Sequence, residues 1–274
     1  MRLPAVAGSF YASTEELLVK QIKGCYLYEL GTGKLPKYNE KGLRKIKGAV
    51  VPHAGYMYSG ATAAWVYAAL AEDRFPATFI IIGPNHTGYG SGIAITKETF
   101  STPLGEAEID LELADALLNT IIDNDFNAHR YEHSIEVQLP FLQFIKRDFK
   151  FVPLCLGIQD YKTAKEVGSI IKKAIFELKK DVVVIASSDF THYEERSEAE
   201  RKDKLAIEKI LNLDAKGLYE VVNRYSISMC GYGPVMAMLE SIDAKKATLL
   251  KYCTSGDIEK HMLEVVGYAG IVVE

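Results

Sequence analysis

Val50-Val51-Pro52-His53-Ala54-Gly55-Tyr56 is the stretch on which the reading of the fold turns. A mostly apolar run from Ile46 to Val51 stops at a proline and delivers a histidine into a loop. The design recurs. Phe79-Ile80-Ile81-Ile82 ends in Gly83-Pro84-Asn85-His86, and Val182-Val183-Val184-Ile185-Ala186 ends in Ser187-Ser188-Asp189-Phe190-Thr191-His192. Short β-branched apolar runs bounded by turn residues read as buried strands of an α/β sheet. Ligands of open α/β sheets bind beyond the carboxyl ends of the strands, so three strands ending in metal-capable side chains predict one shared site.

The remainder of the chain fits that frame. Its 274 residues are 48% hydrophobic and 25% charged, with ample material for a core. The net charge of −4 offers no electrostatic footprint for nucleic acid. No apolar run approaches the roughly 18 residues that a membrane span requires, and the N-terminus lacks a signal-peptide apolar segment, so a cytoplasmic protein is expected. Cys25, Cys155, Cys230 and Cys253 are scattered, which is not the pattern of a disulfide framework. Helical and strand patterns alternate along most of the length. They predict a single three-layer α/β/α domain over residues 1–274.

Several local features sharpen the expectation. Pro4 to Tyr11 is too poor in large apolar residues for a core strand and reads as a surface arm anchored by Phe10 and Tyr11. Ser13-Thr14-Glu15-Glu16 reads as a capping box opening a helix to about Leu30. Ser59-Gly60 opens a small-residue helix from Ala61 to Ala71, and Asp110 caps another. Pro140 should kink or break a helix around Ile135, Leu139 and Leu142. Pro153, inside the strand Phe151 to Leu156, argues for an edge position or a bulge.

The candidates for chemistry are His53, His86, Asp189, His192 and Cys230, each in a loop after an apolar run or in a Gly-rich bend. Neutral imidazole is the commonest metal ligand, with carboxylate and thiolate as companions. No local signature such as HExxH identifies the metal. Asp189 and His192 are three residues apart and share one side if the strand runs into a helical turn. His133, flanked by Glu132 and Glu136, reads as a general base or an orienting group. Cys230 reads as a thiolate ligand, a buried small hydrophobe or a nucleophile paired with His192 or His133. Neither a P-loop nor a GxGxxG fingerprint is present. Tyr56, Tyr58, Tyr193 and Tyr232, beside the candidate ligands, can line a pocket for an aromatic or peptide ligand.

Taken in order, Pro4 to Tyr11, Pro52-His53-Ala54-Gly55-Tyr56, Gly83-Pro84-Asn85-His86, Glu132-His133-Ser134-Ile135-Glu136, Ser187-Ser188-Asp189-Phe190-Thr191-His192 and Cys230-Gly231 resemble the Memo family. That family is related in fold to the class III extradiol ring-cleaving dioxygenases. The resemblance covers nearly the whole chain. It implies a non-haem metal pocket with His53, His86 and Cys230 as ligands and Asp189 and His192 beside them. The dioxygenases hold iron by two histidines and one carboxylate with open positions. Here a cysteine stands where that carboxylate is expected. Thiolate suits softer ions such as Cu(I) or Zn and also binds iron. The expected function is a non-haem metal-binding protein with a dioxygenase-like pocket, running redox or oxygen chemistry at iron or copper on a small-molecule or peptide ligand. His133, Asp189 and His192 are the expected catalytic groups. The alternatives are a non-enzymatic binding or signalling protein with a vestigial site, and a metal-assisted hydrolase.

Overall fold

A computed structural model describes residues 1–274. Eleven strands form one sheet: β1 Gly48–Val51, β2 Thr78–Pro84, β3 Ile93–Ile95, β4 Phe100–Thr102, β5 Gly105–Ile109, β6 Asp123–Asn124, β7 Lys150–Leu156, β8 Val182–Ser187, β9 His192–Glu194, β10 Ala247–Thr254 and β11 Val265–Val273. The main path runs β10-β11-β1-β8-β2-β7-β3-β6, with β5 also on β7, β4 on β5 and β9 on β11. The centre, β1-β8-β2-β7, is parallel, whereas β11 joins β1 antiparallel and β3 joins β7 antiparallel. The three apolar runs that end in His53, Asp189 and His86 are therefore β1, β8 and β2. They lie side by side and point the same way, so their carboxyl ends meet on one edge.

These strands read clearly because parallel strands covered on both faces carry continuous apolar runs. Every residue of β1, β2 and β8 is buried. The pleat of the sheet shows the layers. Gly48 of β1, paired with Val273, leaves its face to Met238 and Ile242 of the helix Tyr232–Ser241 and its C-cap. Gly270, three residues from Val273 and hence on the other face, lies against Thr62 and Val66 of the helix Tyr56–Glu72. Helices thus cover both faces of a mixed sheet. No helix is long and apolar enough to cross a membrane.

Three local features go beyond or against expectation. The first concerns Pro4 to Tyr11, which is the expected surface arm, with Tyr11 buried and Phe10 half-buried as its anchors, but which also serves the interior. Arg2 and Tyr11 are buried, and Arg2 pairs with the buried Glu136 while its Nε donates to the His129 carbonyl at 3.0 Å. Glu136 also accepts from the Ala5 and Val6 N–H groups at 2.8 and 3.1 Å and from the Tyr11 hydroxyl. A buried carboxylate needs such partners, and the arm supplies them. The second concerns Pro153, which sits within the sheet and not at its edge. β5 pairs with β7 at Lys150 and Phe151, and β3 pairs with it from Leu154 onward. Pro153 falls where one neighbour ends and the next begins, so its missing N–H costs no ladder bond on that side. The third concerns the first helix, which runs Glu15–Leu27 from Thr14, with no side-chain cap, in place of a capping box on Ser13. Asp110 does cap its helix, accepting from the Leu113 N–H. Pro140 stands in the first turn of the helix Leu139–Ile145, directly after a 3-10 turn at Glu136–Gln138.

Candidate metal centre

His53 leaves β1 after Pro52 and is 2% exposed. Its N–H donates to Asp189 Oδ1 at 2.8 Å, which ties the end of β1 to the end of β8. The protonation of its ring follows from the network behind it. Ser187 Oγ lies 2.6 Å from the Ser134 carbonyl, which can only accept, so the single hydroxyl proton goes there. The same oxygen accepts from Gln138 Nε2 at 2.8 Å. His53 Nδ1, 2.9 Å from that oxygen, must therefore donate, and its Nε2 keeps the lone pair. Gln138 is oriented in turn by the Pro52 carbonyl, which accepts from Nε2, and by Tyr67, whose hydroxyl donates to Oε1.

His86 leaves β2 through a turn in which Asn85 Oδ1 accepts from Thr87 Oγ1 and the Gly88 N–H, with Gly88 at φ +70°. Glu132 then fixes it twice. Glu132 Oε2 accepts from the His86 N–H at 2.6 Å and Oε1 from His86 Nδ1 at 2.9 Å. Oε1 also accepts from the His133 and Ser134 N–H groups, both at 2.9 Å. Burial raises the Glu132 pKa, but the His86 hydrogen bond and the charges and N–H groups around it outweigh burial and hold the carboxyl down at about 2. It is a carboxylate at any working pH, so His86 Nδ1 donates to it, and Nε2 makes no hydrogen bond within the protein.

His133 completes the group. Its ring stacks on His86 with centroids 4.6 Å apart and meets His53 edge-on at 5.5 Å, while Phe10 packs against it at 4.8 Å. One ring nitrogen from each of His53, His86 and His133 lies within 4.8 Å of the other two. Burial, and then the neighbouring rings, hold the His53 pKa well below that of a free imidazole. Burial likewise takes His133 to about 4, with Glu132 opposing. Three converging ring nitrogens, with His53 and His133 pushed toward the neutral form and His53 and His86 held from behind by hydrogen bonds at Nδ1, are what a metal demands of histidine. The residues present therefore fit a metal ion.

Cys230 is adjacent to this group and not part of it. Its Sγ is 3.1 Å from His53 Nε2 and accepts from the Asp189 N–H at 3.3 Å. Burial and the Asp189 carboxylate push its thiol pKa far up, so with no metal near it the sulfur is protonated. The bend is held tightly: the Gly231 N–H donates to Ser188 Oγ, and a Cβ at Gly231 would lie 2.3 Å from the Ser187 carbonyl oxygen. His192 sits not in a helical turn but in β9. Its N–H donates to Ser228 Oγ and its Nδ1 to the Ser228 carbonyl at 2.8 Å, leaving Nε2 free. Burial raises Asp189 to about 6, opposed by the His53 N–H.

His53, His86, His133, Asp189 and His192 all line one cleft of about 590 Å³, together with Phe10, Tyr58, Tyr193 and Tyr268. Of the other two tyrosines expected there, Tyr56 is buried, its hydroxyl donating to the Val137 carbonyl, and Tyr232 lies outside the cleft lining. His129 stays apart, buried, with Nε2 donating to the Ala94 carbonyl. The positioning roles of Glu132, Gln138 and Ser187 escaped the reading of the sequence. The available signals were a carboxylate next to His133 and a glutamine interrupting the apolar positions Ile135, Val137 and Leu139.

The profile of a family described as Memo-like protein matches residues 2–272. A MEMO1 family protein of Methanosarcina mazei is 49% identical, covering 100% of this chain and 99% of its own length. One from Methanopyrus kandleri is 50% identical over 99% of this chain and 98% of its own. Among solved structures, an uncharacterised protein of Escherichia coli K12 aligns with 84% of this chain and 100% of its own at a TM-score of 0.53. At 12% identity that likeness concerns the fold alone.

Proposed function

This chain belongs to the Memo family, and from that premise we propose that it is a non-haem metal protein whose cleft carries out redox or oxygen chemistry on a bound ligand. The observation that carries the reading is the convergence of one ring nitrogen from each of three imidazoles, His53, His86 and His133, within 4.8 Å of one another in an open cleft. These three rings would hold the ion, and iron and copper are the ions proposed, since imidazole suits both and a thiol stands next to His53. The bound metal would supply electron transfer and oxygen activation. The chain's own residues would handle the protons. His192 Nε2, free because Nδ1 is committed to Ser228, can accept a proton from a ligand in the cleft. Asp189, with a carboxyl near pKa 6, can hold or release one close to neutrality. A small molecule or a short peptide segment suits the size of the cleft. A cytoplasmic setting suits four cysteines that are all unpaired thiols.

The test is elemental analysis of protein purified without added metal and again after anaerobic reconstitution with Fe(II) or Cu(I). Stoichiometric metal is expected in the wild type and loss of most of it in His86→Ala and His133→Ala. Cys230→Ser, run alongside, separates a thiolate ligand from a bystander thiol. A wild type that takes up neither ion would end the metal reading and leave a binding protein.

A further inference from the structure

We infer that the cleft is built to receive an organic cation with an aromatic body, an arylalkylamine in its simplest form. The inference rests on the cleft being the ligand site, but not on the metal. Its first support is charge. The lining contains the carboxylates Asp189, Glu259 and Glu264 and neither a lysine nor an arginine. Glu264 has no hydrogen-bond or ion-pair partner, and Glu259 receives only the Tyr58 hydroxyl, at 2.7 Å. Cations close by in sequence are engaged elsewhere. Arg196 pairs with Asp257 and Glu200, Lys202 with Glu194, and Lys260, next to Glu259, donates to the Asp257 carbonyl. A cleft lined by one sign of charge concentrates the opposite sign.

The second support is independent of charge. Tyr193 is 74% exposed at the cleft and stands at φ +57°, in the left-handed region that bulky residues rarely occupy. Its neighbours hold it there. His192 is clamped by Ser228 on one side, and Glu194 pairs with Val265 on the other, with a register shift between. Strain of this kind persists where the surroundings impose it. The conformation presents an aromatic ring to solvent at the lip of a cleft whose other walls include Phe10, Tyr58 and Tyr268. Aromatic faces attract organic cations, and carboxylates at the same rim add to that attraction. The acids Glu259 and Glu264 are exposed, whereas His53 and Asp189 are buried. The arrangement therefore places the ammonium at the rim and the aromatic ring toward the histidine floor.

The test compares 2-phenylethylamine, 2-phenylethanol and phenylacetate, which share a skeleton and differ in charge. Binding is measured by calorimetry on the full chain, both stripped of metal by chelation and reconstituted, with metal content determined on the same samples. In metal-free protein the amine is expected to bind about tenfold more tightly than the alcohol, with an advantage that shrinks as salt is added. Phenylacetate should bind most weakly. The doubly substituted Glu259→Gln/Glu264→Gln protein should lose the amine's advantage and keep both its affinity for the alcohol and its metal uptake. Tyr193→Ala should weaken amine and alcohol together. Equal or tighter binding of the alcohol or the carboxylate to metal-free protein would overturn the proposal. So would an amine preference that survives the double substitution, or no binding of any of the three. Absence of metal with the amine preference intact would sink only the metal reading.

Discussion

Glu132 shows how much of the centre is decided by one side chain that need not touch a metal. Its two oxygens take four N–H donors, from the backbone of His86, His133 and Ser134 and from the His86 ring. It thereby sets the path of one loop against another and the tautomer of His86. Glu132→Gln keeps the shape but leaves one oxygen where two accepted, and its amide turns two donors toward groups that can only donate. Loss of such a partner typically weakens metal binding 10–100-fold. A fall of about that size is expected in a competitive chelator titration of Glu132→Gln, with the far-ultraviolet circular dichroism unchanged. Affinity equal to wild type would show that His86 is oriented by its loop alone. The sequence placed Glu132 beside His133 but could not show that it reaches across to His86, 46 residues away, because that contact exists only once β2 and the following loops are folded.

Among elements, the N-terminal arm is the surface arm its sequence suggests, but the buried charge at its start is not visible there, and the reason is physical. Nothing near position 2 in the sequence announces a buried arginine, a residue almost never fully buried unless paired. Here it is paired: its guanidinium meets the Glu136 carboxylate and the His129 and Glu132 carbonyls, and it lies over the Phe100 ring at 4.8 Å. The long apolar runs of β1, β2, β7 and β8 were legible because burial on both faces leaves a local signature. β6 and β9, of two and three residues, leave none. The strand-end histidines were legible for the same reason as the strands, whereas Phe10 was legible as an anchor of the arm but not as the ring that backs His133. Removing one partner of a buried ion pair strands the other charge, at a cost of about 3–5 kcal/mol. Arg2→Met and Glu136→Gln should each lower the stability measured by urea unfolding. The double variant should cost less than the sum of the two, because no charge is then left alone. Additive costs would mean that the two groups are held by their other hydrogen bonds and that their pairing contributes little.

At the scale of the whole molecule, a sheet that gathers its strand ends over a cleft also gathers buried histidines, and this makes stability depend on pH. His53, His129 and His133 are all held below the ordinary imidazole value, chiefly by burial; His129 and His133 stand at about 4. A histidine with a lowered folded pKa stays neutral in the native state while the unfolded chain takes up its proton. Stability is then greatest above about pH 6.5 and falls with pH down to the folded value. Asp189 works the other way, because a carboxyl raised to about 6 takes up its proton in the folded state before the unfolded one. Between pH 7.5 and 5, the three histidines destabilise on acidification, while Asp189 and Asp203, whose carboxyl burial also raises, oppose them, and the expected net sign is a loss. His53, His133 and Asp189 lie at the centre itself. His129 lies apart from it, with Nε2 donating to the Ala94 carbonyl, so it offers a clean probe. Over the span from 6.5 to 5, each proton refused by the folded state is worth about 2 kcal/mol. The urea midpoint of metal-free wild type is therefore expected to drop steadily from pH 7.5 to pH 5. His129→Gln, whose amide can still donate to Ala94, should drop less by a part corresponding to one group, with metal uptake at pH 7.5 unchanged. A variant whose slope equals that of wild type would mean that His129 is protonated as readily inside the fold as outside it, and a wild-type midpoint flat with pH would mean that the raised carboxyls offset the histidines.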